Sequence, residues 1–127
     1  MKSHWISHKG KQIFCYDLSN LRSDVAAIKT EVQAAETVAF KQPKSSLLHL
    51  VDVRDTVVSI DAARIFKAAA TDIRPYVHKG AIIGVKGVVK IVAQAVNKAG
   101  GYDTVIFDDI GQALDWLVTE KPAEPPA

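Results

Sequence analysis

From Tyr76 to Gly101 the chain reads YVHKGAIIGVKGVVKIVAQAVNKAGG. An apolar run from Ala81 to Val85 meets a turn flanked by Gly84 and Gly87. After the turn, Val88, Ile91, Val92, Ala95, Val96 and Ala99 recur at helical spacing, with Lys90, Gln94, Asn97 and Lys98 on the opposite face. Gly100-Gly101 supplies a C-cap, because glycine enters the left-handed region without a Cβ penalty. A buried strand, a turn and an amphipathic helix are the repeating unit of an α/β fold, so this stretch restricts the whole chain to that class.

The same unit recurs around it. Leu47, Leu48, Leu50, Val51 and Val53 predict a strand apolar on both faces, as a central strand covered by helices requires. Before it, Val25, Ile28, Val32, Ala35 and Ala39 predict a helix ending near Phe40, with Ser19, Asn20 or Ser23 as its cap. After it, Ala62, Ile65, Phe66, Ala69, Ala70 and Ile73 predict a second helix, which Pro75 stops for lack of a donor. Tyr102 to Phe107 is a further strand, and Asp109 with Gln112 three residues on opens the last helix. At the start, His4–His8 and Gln12–Tyr16 flank Lys9-Gly10-Lys11 as a hairpin. The predicted order is β-β-α-β-α-β-α-β-α: one mixed, mostly parallel sheet with an N-terminal hairpin and helices mainly on one face. Residues 120–127, EKPAEPPA, hold three prolines and no large apolar side chain, which predicts a disordered tail after a single domain over residues 1–119.

Composition narrows the function classes. A net charge of +2, with 16 Lys and Arg interleaved among 14 Asp and Glu, lacks the basic concentration a nucleic-acid binder shows. The first residues lead into no apolar signal segment, and no stretch approaches the ~20 apolar residues of a membrane span. Cys15 stands alone, so no internal disulfide forms. The expectation is a cytoplasmic protein without membrane insertion.

Candidate chemistry is sparse. Gly84, Lys86, Gly87 and Lys90 form a possible anion site, with backbone N–H groups at a helix start and two lysines adding charge. The plainer reading is that the glycines permit a tight turn and close packing, since neither a P-loop nor a dinucleotide fingerprint accompanies them. His4 and His8 share a strand face about 13 Å apart, too far for one metal ion. His49 sits in an apolar strand. Cys15, between Phe14 and Tyr16, reads as buried. Asp52, Asp55 and Asp61 gather near the carboxyl end of the central strand, the edge where open α/β sheets bind ligands. No base, metal motif or glycine cradle accompanies them, so no catalytic residue and no cofactor is assigned.

Taken in order, several motifs resemble a known family: Tyr16-Asp17-Leu18-Ser19-Asn20-Leu21, Leu50-Val51-Asp52-Val53, Pro75-Tyr76-Val77, Gly84-Val85-Lys86-Gly87, Ala95-Val96-Asn97-Lys98, and Phe107-Asp108 with Ala113-Leu114-Asp115-Trp116-Leu117. This succession over residues 4 to 119 resembles the STAS-like domains related to anti-sigma-factor antagonists, above all the subgroup named after both STAS and CRAL-TRIO domains. The resemblance implies a non-enzymatic protein-interaction module. In the regulatory members a kinase partner phosphorylates a serine at the start of the helix after the central strand. Here the matching stretch is Ile60-Asp61-Ala62-Ala63-Arg64-Ile65, with alanine at both hydroxyl positions. The expected contact surface is Asp55, Thr56, Ser59, Asp61, Ala62, Ala63 and Ile65, facing a kinase-like or sigma-regulatory protein, in a chain that forms a homodimer. The alternative is a carrier or sensor of a lipid-like or nucleotide ligand held beside the sheet.

Overall fold

The computed structural model describes residues 1–86 and 104–119. Five strands form one sheet in the order β1-β2-β3-β4-β5: β1 (His4–His8), β2 (Lys11–Asp17), β3 (Leu47–Asp52), β4 (Val77–Ile83) and β5 (Thr104–Phe107). β1 runs antiparallel to β2, and every other neighbouring pair is parallel. The described helices are α1 (Val25–Ala39), α2 (Ile60–Ile73) and α3 (Ile110–Leu117), with a 3-10 turn at Arg74–Tyr76. The α/β class and the mixed sheet with its N-terminal hairpin are as the sequence predicts. The helix expected between β4 and β5, the Gly100-Gly101 cap, the domain limit and the 120–127 tail lie outside the described residues.

The β1–β2 turn is two residues long, with Lys9 and Gly10 both at positive φ (49° and 81°). Two left-handed residues match the natural twist of a hairpin. α1 starts on Asp24, whose carboxylate accepts from the Ala27 N–H at 3.0 Å, and not on Ser19, Asn20 or Ser23. Those three residues lie in or beside a loop that hydrogen-bonds to the loop leaving the carboxyl end of β3, so the helix begins only after it ends. α2 stops at Ile73, and Pro75 sits in the 3-10 turn that follows. β4 begins earlier than the apolar run suggests, because Val77 to Lys79 already pair with β3. It also ends earlier, at Ile83, because Gly84 turns out of the strand at φ +91°. Asp109 caps α3 by accepting from Gln112 N–H at 2.9 Å, as expected.

Both sheet faces are covered. Phe14, Tyr16, Leu47 and Val53 lie with Ile28, Val32 and Ala35 of α1 and Ala62, Ala69 and Ile73 of α2. Sequential parallel strands joined by right-handed crossovers set successive helices on one face, which is why α1 and α2 share it. Ile13, Cys15, Leu48, Leu50, Ala81 and Ile83 point the other way and meet Ala113 and Leu117 of α3. Full burial of side chains such as Ile28, Leu50, Ile83 and Leu117 contributes about 2 kcal/mol each. α3 is clamped electrostatically as well. The buried Lys79 ammonium donates to the Trp116 and Thr119 carbonyls at the helix end and lies 4.2 Å over the Trp116 ring. Asp115 accepts from His8 at 2.7 Å and pairs with Lys9 at 3.0 Å, tying α3 to the hairpin turn.

His49 is the exception in the core. Its ring packs edge-on to Tyr16 with centroids 4.3 Å apart, and neither ring nitrogen has a hydrogen-bond partner among the described residues. Burial pushes its pKa from 6.5 down to about 3. The folded state therefore holds the neutral ring and the unfolded chain takes up the proton, so this contribution is intact above pH 6.5 and is lost as pH falls toward 3. Replacing His49→Leu should shrink the stability lost between pH 7 and pH 4.5 by about 2–3 kcal/mol, read from urea midpoints at the two pH values. An unchanged pH dependence would contradict this assignment.

Candidate functional site

The chain leaves β2 and β3 at the same edge of the sheet, and the two loops are laced together there. Leu18 N–H donates to Asp52 O at 2.9 Å, Asn20 N–H to Arg54 O at 2.8 Å, Arg22 N–H to Asp55 O at 3.1 Å, and Val57 N–H to Arg22 O at 2.7 Å. The Thr56 hydroxyl completes the lacing by donating to the Leu18 carbonyl and accepting from Leu21 N–H. Three non-glycine residues sit here at positive φ: Asn20 at 58°, Arg22 at 52° and Asp55 at 58°. Each costs about 1 kcal/mol or more in backbone strain, which persists only where surrounding bonds over-determine the conformation.

Asp52 anchors the second layer of this edge. Its buried carboxylate accepts from Arg54 at the backbone N–H, at Nε (both 3.0 Å) and at Nη2 (2.7 Å). The pairing raises the Arg54 pKa, through the hydrogen bond first and the charge second. Gly84 then packs directly on this loop: a Cβ there would lie 2.5 Å from the Arg54 nitrogen. The Val53 N–H also donates to Ile83 O at 3.0 Å. Gly84 therefore serves close backbone approach to the Arg54 loop. Lys86 is exposed beside it. Gly87 and Lys90 lie outside the described residues.

Beyond the laced loop, Ser59 caps α2 by accepting from Ala62 N–H at 3.1 Å. Asp61 and Arg64 are exposed and 3.7 Å apart, a surface pair worth little by itself. Ala62 is fully buried, so it presents nothing to a partner, while Ala63 and Ile65 are half-buried. What the edge does present is apolar: Val57 is 55% exposed and Ile60 75% exposed, on either side of the packed Val58. Sequence reasoning missed both. The signal was the run Val57-Val58-Ser59-Ile60, where one apolar residue beside an N-cap suffices to staple the helix. The other two have no core position to fill.

The chemistry at this edge is quiet. Burial, then the Asp17 and Asp52 charges, push the Cys15 thiol up to about 12, so it stays protonated at neutral pH and is a poor nucleophile. Asp17 is penalised by burial, yet the hydroxyl and N–H of Ser19 outweigh this and hold its carboxyl below the usual range. Asp52 is occupied by Arg54, and Asp55 and Asp61 are exposed. Among the described residues no group of three or more His, Cys, Asp or Glu side chains converges as a metal site, and no helix is long and apolar enough to cross a membrane. No protein-family model, curated protein or solved structure matches the chain.

Gly84→Ala tests how tightly the edge is assembled. Its methyl meets backbone rather than a side-chain tip, in a left-handed conformation, so destabilisation of about 2–3 kcal/mol is expected from the urea midpoint. A shift under about 0.5 kcal/mol would mean that the Arg54 loop yields freely.

Proposed function

We propose that this chain is a non-catalytic, STAS-like protein-interaction module whose contact surface is the carboxyl edge of the sheet from Arg54 to Ile65, with the Gly84–Lys86 turn beside it. The observation that supports this reading most directly is the pair Val57 and Ile60, exposed at 55% and 75% on a loop held by cross-loop hydrogen bonds. Large apolar side chains on a rigid support lose little freedom when a partner covers them, which is what makes an efficient centre of an interface. Arg54, Asp55, Asp61 and Arg64 surround them as exposed charges of both signs, the composition of a polar rim.

The STAS resemblance gives this surface a class of partner: a kinase-like or sigma-regulatory protein, met by a homodimer of this chain. It also bears on regulation. The matching phosphoacceptor positions are Ala62 and Ala63, and the first has no exposed surface. Thr56 holds the two loops together and Ser59 caps α2, so both neighbouring hydroxyls already have structural roles. A contact made here is therefore set by concentration and affinity, and no phosphate at residue 62 or 63 governs it.

The test is a pair of exposed substitutions. Val57→Asp with Ile60→Asp should weaken binding to a purified, identified partner by about 30-fold or more, while the urea midpoint moves by less than about 0.5 kcal/mol. Calorimetry of both forms against that partner measures it, and light scattering checks the dimer. Equal affinity of the double variant, with the fold intact, would overturn the assignment of this surface.

A further inference from the structure

We infer that a groove at the opposite edge of the sheet binds a neutral sugar. It is an open groove of about 490 Å³ lined by Trp5, Gln12, Gln42, Ser46, Leu47 and Leu48, a volume within the usual range of small-ligand sites. Four separate segments supply it: β1, β2, the end of the loop after α1 and the start of β3. It lies remote from the Val57–Ile60 surface and does not depend on that reading.

Each part of the lining is held. Trp5 packs its ring on Phe14, with centroids 4.9 Å apart, and Phe14 in turn meets Tyr16 edge-on at 5.7 Å. The indole is nonetheless 42% exposed, a fixed aromatic platform rather than a core residue. Gln42 donates from Nε2 to Val38 O at 3.2 Å, which orients its amide and leaves Oε1 to accept. Ser46 donates to Pro43 O at 2.6 Å, and its N–H donates to Tyr76 O at 3.1 Å. Ser45, at φ 58°, donates to Pro75 O beside it, so this wall is anchored to the 3-10 turn. The Gln12 side chain makes no hydrogen bond among the described residues and keeps its amide donors and acceptor available.

The lining selects the ligand class. None of its six side chains is ionisable, so nothing there compensates a phosphate or carboxylate. Three of them are polar and the groove is open to solvent, which suits an acyl chain poorly, because such a chain gains only from apolar enclosure. A neutral sugar fits both halves. The C–H face of its ring lies on the indole, and its hydroxyls exchange hydrogen bonds with the two amides and the serine.

The full chain, labelled with nitrogen-15, is titrated separately with cellobiose, maltose, lactose and N,N′-diacetylchitobiose. At least one disaccharide should shift the Trp5 indole N–H and the Gln12 and Gln42 amide signals saturably, with Kd between about 0.1 and 10 mM. Gln12→Ala, which removes an exposed side chain without touching the core, should weaken that binding about tenfold, and Trp5→Ala further; Ile60→Asp should leave it unchanged. Retardation of the chain in gels containing a soluble glucan would place the sugar in a polymer, and disaccharide binding without retardation would place it as a free ligand. Saturable shifts with none of the four sugars, equal affinity in Gln12→Ala, or displacement of the sugar by laurate or ADP at equal concentration would overturn the inference.

Discussion

Because β3 buries side chains on both of its faces, a chain of this length must bring helices to both sides of one sheet, and the arrangement follows from that need. Leu48 and Leu50 look toward α3 while Leu47, His49 and Val51 look toward the α1–α2 layer. Parallel neighbours on each side satisfy its backbone and force crossovers, and those crossovers place α1 and α2 together. α3 reaches the other face only after the chain has crossed all five strands. The hairpin strand β1 shields the outer side of β2, and Ser3 and Lys2 hold its start to Glu31 of α1 through hydrogen bonds to the carboxylate. Burial opposes charge on Glu31, and those bonds outweigh it to keep the carboxyl below its ordinary range.

The two edges of the sheet then differ in kind. At the carboxyl edge, backbone strain at Asn20, Arg22 and Asp55 coexists with dense hydrogen bonding, and the apolar side chains it leaves outside are convex and exposed. At the amino edge the elements stop short of one another and leave a concave groove at the start of β3, beside Trp5 and Gln12. A convex rigid surface suits a macromolecule and a concave uncharged one suits a small neutral ligand. One domain thus has room for two unrelated contacts that do not compete for residues.

How much of this was legible in the sequence depends on the range of the interaction. Periodicity revealed α1, α2 and α3 and most of the strands, because apolar spacing is a local consequence of which face is buried. The Asp109 cap was equally local and correctly read, whereas the α1 cap was misplaced because the cross-loop bonds that hold residues 18–22 away from the helix involve Arg54 to Val57. Burial of Cys15 and His49 followed from their apolar neighbours. The Arg54 backbone against Gly84 and the groove were not readable, while the exposure of Val57 and Ile60 showed only as an apolar run longer than the helix start needs. The first two depend on segments brought together only by strand order. The glycine turn that most constrained the fold class proved informative about packing at Gly84.

Lys79 has a consequence for how the chain is made. Most of the described α1–α2 face is present once β4 has been synthesised, but the opposite face, with Ile13, Leu48, Leu50, Ala81 and Ile83, must wait for Ala113 and Leu117 of α3. During that interval a half-built sheet would show a broad apolar surface to other nascent chains, the situation in which aggregation begins. Lys79 sits on that same face, and until Trp116 and Thr119 arrive its ammonium is hydrated. A cation in the middle of an apolar strand face opposes association between incomplete copies. When α3 docks, its terminal carbonyls take up the same ammonium. The residue that guards the unfinished sheet thus becomes the clasp of the finished one.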